Sequence, residues 1–210
     1  MRLYVTPASS WVRRVRVAIL ELGIEDRFEF AQTKWSHKWA TRAVEHRRDF
    51  LEATPVVRIP ALVTKDFTLT DSHSICDYLN GELGGFRLLA RDGAARWQAL
   101  ADMSIACGII EAHILRRAEL LRAEHERSAD FIAKMKDREL RCFAALEKRV
   151  AGFGATFDLA QITTAVACGY ESWRYGEEWR GVAPKLAAWY DGVSRRPSMK
   201  ATEPAETPQA

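Results

Sequence analysis

Paired cysteines, long apolar runs and a strong bias of charge are all missing from this sequence of 210 residues. None of its four cysteines forms a CxxC pair, and no histidine stands at zinc-finger spacing beside Cys76, Cys107, Cys142 or Cys168. We therefore expect neither a disulfide framework nor a bound metal. Each cysteine lies in an apolar helical context, which predicts four inert core thiols and a reducing, cytoplasmic compartment.

No apolar stretch reaches the roughly 18 residues of a membrane span, and no apolar segment of a secretory signal follows the N-terminal residues. The 31 basic and 28 acidic residues leave a formal charge of only +3. Because nucleic-acid-binding domains usually carry a dense basic face, this balance disfavours that class. Hydrophobic residues make up 48% of the chain, which is enough for a packed core. We expect a globular protein that binds neither a membrane nor nucleic acid.

Residues 1–83 alternate between strand and helix patterns. Short β-rich segments at 3–5 and 28–30 flank a predicted helix over 11–22. The apolar residues of that helix recur at spacings of three and four: Val12, Val15, Ile19 and Leu22. A hairpin over 61–69 and a short helix from Ser72 complete a small α/β domain.

Residues 88–200 show helical spacing only, which predicts an all-helical second domain. One apolar stripe runs from Leu100 to Ile114, and a second runs from Ile132 to Val150, where Arg138 and Glu139 interrupt it. Asp158 followed by Gln161 predicts a capping box at the start of a further helix. Residues 201–210 contain no aromatic or branched aliphatic residue, so we expect a mobile tail.

Three places carry residues suited to ligand binding, and each also has a purely structural interpretation. Ser9 and Ser10 precede a helix, where a serine is a common N-cap but where an anion or thiolate is also stabilised. Pro60 is either an ordinary first residue of a strand or a cis-proline that exposes the preceding backbone to a ligand. Asp71 and Ser72 could simply cap the next helix. The residues alone leave these alternatives open.

Four segments, in order along the chain, resemble the soluble glutathione transferases. Residues 4–16 (YVTPASSWVRRVR) resemble the first strand, active-site turn and first helix of that family. Residues 50–62 (FLEATPVVRIPAL) match its run FLxxNPxxKVPAL, and residues 69–75 (LTDSHSI) match LxESxxI. The second half ends in PKLAAWY at 184–190 and RPS at 196–198, as in bacterial members. The resemblance implies a thioredoxin-like α/β N-terminal domain followed by an all-α C-terminal domain.

The resemblance also assigns roles to individual residues. In bacterial and zeta-like members the first serine of the turn is catalytic, and this position is Ser9, whose hydroxyl would donate to the thiol sulfur of glutathione. Ile59, beside a cis-Pro60, would bind the cysteinyl backbone of glutathione as an added strand does. Asp71, shorter than the usual glutamate, would pair with the γ-glutamyl ammonium, and Ser72 would bind the γ-glutamyl carboxylate.

A stripe of basic residues between the predicted strand at 28–30 and the segment 50–62 has more than one interpretation. Its members step by four, with Trp35 and Trp39 alongside: Lys34, Lys38, Arg42 and His46. The stripe could be a solvated helix face, or Lys34 and Lys38 could bind the glycyl carboxylate of glutathione, as this region of the family often does. Basic residues between tryptophans can also bind single-stranded nucleic acid, but no other part of the chain supports that interpretation.

We expect a glutathione transferase, most simply a homodimer as the family usually is, that adds glutathione to a small hydrophobic electrophile. The electrophile pocket would lie between the domains, near Trp11 and the helix over 100–114. A zeta-like glutathione-dependent isomerase is a rival, although Trp11 stands where the zeta pattern has cysteine. A non-catalytic binding or assembly module is a second rival. The lack of any cysteine before Cys76 argues against members that use an active-site cysteine.

Overall fold

The computed structural model describes residues 1–33 and 48–206. Among these residues, β1 (Arg2–Val5) is parallel to β2 (Glu29–Gln32) and antiparallel to β3 (Ala61–Val63), which pairs with the antiparallel β4 (Thr68–Leu69). The four described strands form one mixed sheet in the order β2-β1-β3-β4. β1 is therefore an interior strand with a paired neighbour on each side, and its C-terminal end leads into the loop before α1.

Within the described part of this half, three α-helices accompany the sheet: α1 (Ser10–Leu22), α2 (Arg48–Ala53) and α3 (Ser72–Tyr78). α1 ends at Gly23, which adopts the left-handed conformation (φ 66°) that a side chain would disfavour. α3 continues into a π-helical turn over Leu79–Leu83. The strand–helix–strand unit followed by a hairpin and a helix is the predicted thioredoxin-like N-terminal domain.

The remainder of the described chain is helical. Its helices are α4 (Gly93–Leu120), α5 (Ala129–Arg149), α6 (Leu159–Tyr175), α7 (Glu178–Val182), α8 (Pro184–Val193) and α9 (Pro197–Lys200). α4 packs along α5 and α6, and α6 is buried over most of its length. In the core of this half, Phe143 of α5 stacks on Trp179 of α7 with ring centroids 5.0 Å apart.

α4 also has the length and apolar composition of a membrane span, the one helix of the described residues that does. The core helix of a globular domain passes the same test. α4 here packs against two neighbouring helices and buries the polar side chains of Asp102 and His113. Its composition is accounted for by its place in the helical core.

The structure places the second strand later than the apolar pattern does. We predict residues 28–30, whereas β2 spans Glu29–Gln32. The bounds follow from the pairing with β1, whose four residues run from Arg2 opposite Glu29 to Val5 opposite Gln32. The ends of a short strand are set by its pairing with a neighbouring strand, and the local apolar pattern does not contain that information.

The predicted capping box is half formed. Asp158 is the N-cap of α6, and its Oδ1 accepts a hydrogen bond from the Gln161 backbone N–H at 2.8 Å. The Gln161 side chain does not return to the backbone of Asp158 and donates instead to the carbonyls of Gly154 and Thr156. Gln161 therefore fastens the loop that precedes α6 as well as its first turn.

α1 is tied to the C-terminal end of the described chain. Arg13 Nη2 donates to the carbonyl of Met199 at 3.2 Å, and Glu21 pairs with Arg196 at 2.6 Å. The segment expected to form a tail makes contacts over its first residues, since Thr202 is buried and the carboxylate of Glu206 pairs with an arginine of α6. The contacts of Arg13 and Glu21 hold α1 against the last described helix.

Candidate functional site

Ser9 caps the N-terminus of α1, directly after the loop from the central strand. It has an extended backbone (φ −99°, ψ 119°), and its Oγ accepts a hydrogen bond from the Val12 N–H at 3.3 Å. Because the hydroxyl oxygen is the acceptor in this bond, the hydroxyl proton is directed elsewhere, and no described residue accepts it. The first turn of α1 contains no acidic side chain, so the positive end of the helix dipole is not neutralised. A half-buried hydroxyl donor at a positive helix terminus is suited to an anion.

Ser10, the neighbouring candidate, has a different environment. It is the first residue of α1, only 2% exposed, and its Oγ has no hydrogen-bond partner among the described residues. Ser9 is the more accessible of the two serines. The geometry therefore favours Ser9 over Ser10 as the group that meets a ligand.

The Ile59–Pro60 peptide bond is cis, as the resemblance implies. Pro60 immediately precedes β3, whose first residue, Ala61, is paired with Tyr4 of the central strand. The backbone of Ile59 therefore lies at the same end of the sheet as the loop leading to Ser9. This is the place where the sequence predicts the contact with a peptide backbone.

Asp71 and Ser72 form the start of α3, where both structural and binding roles are available to them. Asp71 is the exposed N-cap, and its Oδ1 accepts the His73 N–H at 2.6 Å. Ser72 is 6% exposed, and its Oγ accepts a hydrogen bond from Arg14 Nη2 at 2.7 Å. The capping interpretation is thus correct for Asp71, whose charge remains at the surface.

Arg14 is a residue of this site that the sequence pattern does not reveal. It lies on α1, is fully buried, and donates to Ser72 Oγ of α3 and, at 3.2 Å, to Cys107 Sγ of α4. Its guanidinium also stands over the ring of Trp11 at 5.2 Å. In the sequence it is one arginine of a basic group at 13, 14 and 16, and no periodic pattern distinguishes it.

Trp11 lies at the junction of the two halves, where the electrophile pocket is expected. It packs against the apolar core of the helical half, as Ile105 and Ile114 of α4 also do. Its ring is 6.2 Å from that of His73, whose Nε2 is 3.6 Å from Cys107 Sγ. Burial, together with the positive charge of Arg14, lowers the pKa of His73 below its ordinary value of 6.5, so the imidazole is neutral at pH 7.

The cysteines differ in environment more than expected. Cys76 and Cys168 are buried, and burial raises the pKa of Cys76 to about 11, which makes it an inert core thiol. Cys107 and Cys142 are half-buried, and Cys107 contacts polar partners. Burial also raises the pKa of the Cys107 thiol, which supports the prediction of an inert thiol, although the environment of Cys107 is less apolar than predicted.

Lys34 and Lys38, the candidates for the glycyl carboxylate, lie outside the described residues, as do Arg42 and His46. A shallow depression lies at the other end of the sheet, around Met1, Tyr4 and Val63. It includes none of the predicted site residues.

A separate polar cluster lies inside the helical half. Ligand atoms of His113, Glu139 and Glu171 come within 4.8 Å of one another, and all three residues are buried. His113 Nε2 lies 2.5 Å from Glu171 Oε2, and Arg116 Nη1 lies 2.5 Å from Glu139 Oε2. These side chains resemble a metal-ligand set, but the cation among them is the Arg116 guanidinium, which offsets only part of the cost of burying Glu139, since burial still raises the pKa of Glu139 to about 7. Glu139 belongs to the charged pair that interrupts the second apolar stripe, and it is buried because Arg116 meets it.

Comparison with known proteins supports the interpretation of the N-terminal half. The sequence profile of "Glutathione S-transferase, N-terminal domain" matches residues 3–85. Over 211 residues the chain is 25% identical to "Uncharacterized GST-like protein YibF" of Escherichia coli (strain K12), covering 97% of this chain and 98% of that protein.

Solved structures extend the similarity to the whole chain. A glutathione transferase family member from Pseudomonas fluorescens Pf-5, crystallised with bound glutathione, is 37% identical and has a TM-score of 0.89, covering 98% of this chain and 99% of that one. A structure from the same organism with bound S-(propanoic acid)-glutathione is 36% identical, with a TM-score of 0.86, covering 98% of this chain and 100% of that one. With this identity over almost the full length of both chains, the protein belongs to the glutathione transferase family.

Proposed function

We propose that this protein is a glutathione transferase in which Ser9 stabilises the glutathione thiolate for conjugation to a small hydrophobic electrophile. The observation that carries the proposal is the direction of the Ser9 hydroxyl. Its oxygen accepts from Val12, so its proton is available to a sulfur placed at the N-terminus of α1. Ser9 acts as a hydrogen-bond donor and forms no covalent bond to substrate.

The energy required is within reach of this arrangement. A thiol of pKa about 8.5 is only about 3% ionised at pH 7, and lowering its pKa by about two units makes it mostly thiolate. Such a shift corresponds to about 2.7 kcal/mol of preferential stabilisation of the charged form. A hydrogen bond to a charged acceptor contributes about 1.5–3 kcal/mol, and a helix N-terminus contributes a further ~0.3–1 kcal/mol.

The remaining predicted residues would hold the peptide in register with Ser9. The backbone of Ile59 would bind the cysteinyl unit beside the cis-proline, and Asp71 and Ser72 would bind the ammonium and carboxylate of the γ-glutamyl end. Lys34 and Lys38 are proposed for the glycyl carboxylate. Glutathione bound to the relative from Pseudomonas fluorescens supports a tripeptide site of this kind.

The electrophile is proposed to enter beside Trp11, where α1 meets α4. The glutathione derivative bound to the second Pseudomonas fluorescens structure supports conjugation as the reaction class. We further propose a homodimer in the cytoplasm, with no part for a metal, because Ser9 and the amides of α1 suffice to stabilise the thiolate. The proposal places the glutathione-binding domain at residues 1–83 and the helical domain at residues 88–200.

Calorimetric titration of glutathione into the purified protein tests the first substrate, and thioether formation with an aryl chloride or an acrylate tests the reaction. We expect saturable binding and turnover that depends on Ser9. Binding without turnover of any electrophile would support an assembly module instead. No heat of binding, together with no thermal shift at high glutathione concentration, would refute the proposal.

A further inference from the structure

Arg14 is a buried cation without an anionic partner in the part of the chain that the structure describes. Its side chain is inaccessible to solvent, and within residues 1–33 and 48–206 its two terminal nitrogens donate only to neutral groups and its Nε has no hydrogen-bond partner. Buried charges in proteins are normally paired, because removal of an ion from water is costly. Arg116, also largely buried, follows that rule by pairing with Glu139. A bound anion would supply the negative charge that Arg14 lacks among the described residues.

The hydrogen bond to Ser72 shows where that anion would lie. Arg14 Nη2 donates to Ser72 Oγ at 2.7 Å, so the serine oxygen is the acceptor in this bond. The hydroxyl proton of Ser72 is thereby left for a third group, and none of the described residues accepts it. Ser72 is 6% exposed, so this proton can reach a ligand while the guanidinium behind it cannot. Together the two residues form a donor supported by a fixed positive charge.

The charge next to Ser72 has the opposite sign. Asp71 directly precedes it, and its exposed carboxylate acts on the same imidazole, that of His73, as Arg14 does. This arrangement is complementary to an α-amino acid zwitterion, whose ammonium and carboxylate are attached to one carbon. The carboxylate of Asp71 would meet the ammonium, and the hydroxyl of Ser72, with the charge of Arg14 behind it, would meet the carboxylate. The γ-glutamyl end of glutathione carries such a zwitterion.

We propose that Arg14 is a positioning residue for the α-carboxylate of the γ-glutamyl unit, acting through Ser72. It keeps Ser72 Oγ in the acceptor role, so that the hydroxyl proton points to the ligand, and it supplies the positive charge that the carboxylate needs. This inference rests on the proposed function, since it presumes that glutathione is bound here.

The test compares two peptides on the full-length protein by calorimetry. One is glutathione, and the other is γ-aminobutyryl-cysteinylglycine, in which a hydrogen replaces the α-carboxylate. We expect the wild type to bind glutathione at least about tenfold more tightly than the second peptide, the range of a charge-assisted hydrogen bond. Arg14→Gln should weaken the binding of glutathione about tenfold and that of the second peptide less than about twofold.

Controls separate this role from general damage to the fold. Arg16→Gln removes a guanidinium from the same helix, where it stands over the ring of Phe30 at 5.1 Å, and should change neither affinity. Arg14→Lys, which retains a positive charge, should discriminate between the peptides more than Arg14→Gln does. An Arg14 variant that weakens both peptides equally, or neither, would overturn the inference and leave the proposed function standing.

The wild-type comparison can also overturn the inference without any variant. Equal affinity for the two peptides would mean that no charge recognises the α-carboxylate. Failure of the wild type to bind glutathione at all is a different result, which would refute the proposed function itself.

Discussion

Removal of the Ser9 hydroxyl should raise the pKa of enzyme-bound glutathione by about one to two units, because a hydrogen bond to a charged group contributes about 1.5–3 kcal/mol. Ser9→Ala deletes this donor, while the amides at the N-terminus of α1 remain. At pH 7 the bound thiol then changes from mostly ionised to mostly protonated, and turnover falls in proportion. The affinity for glutathione should change little, since the peptide is held by other residues. Ultraviolet absorbance of the thiolate, recorded against pH in the presence of saturating glutathione, measures the shift.

The same hydroxyl also caps α1, so the variant has a second expected effect. Loss of an N-cap serine costs about 1 kcal/mol of stability when alanine replaces it, and only a few tenths when glycine does. Ser9→Gly should therefore shift the thiol pKa as much as Ser9→Ala while unfolding at a higher denaturant concentration. Ser10→Ala is the matched control, since Ser10 Oγ is buried and has no hydrogen-bond partner among the described residues. If Ser10→Ala raised the thiol pKa and Ser9→Ala did not, the assignment of Ser9 would be refuted.

Three further predictions concern binding and stability. Asp71→Asn keeps an N-cap side chain at α3 but removes its charge, so calorimetry should show glutathione affinity falling about tenfold, and unchanged affinity would remove Asp71 from the site. Burial and the neighbouring Glu171 raise the pKa of Glu139 from 4.5 to about 7. Between these two pH values the folded state retains a proton that the unfolded state loses, so the contribution of Glu139 to stability declines as the pH rises from 4.5 to about 7. Urea unfolding should accordingly show the stability of Glu139→Gln relative to wild type increasing from pH 4.5 to about 7 and then levelling, and an offset independent of pH would contradict this. Phe143→Ala leaves a cavity at a fully buried position and should lower the free energy of unfolding in urea by about 3–5 kcal/mol. The control Trp97→Ala changes a side chain that is 68% exposed and should alter that free energy by no more than about 0.5 kcal/mol. Equal losses in the two variants would contradict the packing of Phe143 on its neighbouring ring.

Much of the fold follows from patterns that are local in the sequence. Apolar residues spaced by three and four predict α1, and the structure has it over Ser10–Leu22 with Gly23 as its cap. The hairpin over 61–69 was also predictable, and Thr64 closes its turn by accepting two backbone N–H groups through Oγ1. Such features depend on interactions between residues close in the chain, so the sequence alone carries them. The end of a short strand such as β2 does not, because pairing with another strand sets it.

The residues of the candidate site also fall into two groups: those that a local sequence pattern identifies, and those that only the tertiary contacts identify. Ser9 and Asp71 were identified from sequence because a helix N-cap and a short motif are contiguous, and the structure shows both as caps. Glu139 shows the limit of periodicity, since a charge that breaks an apolar stripe is buried where an arginine from another helix meets it.

Arg14 shows that limit at the site itself. By itself the sequence determined the local elements of this protein and the serine at the start of its first helix. Only the tertiary structure decided that Arg14 is buried between Ser72, 58 residues away, and Cys107, 93 residues away. No periodicity encodes that meeting, because the free energy of a buried charge depends on which groups three separate helices bring around it.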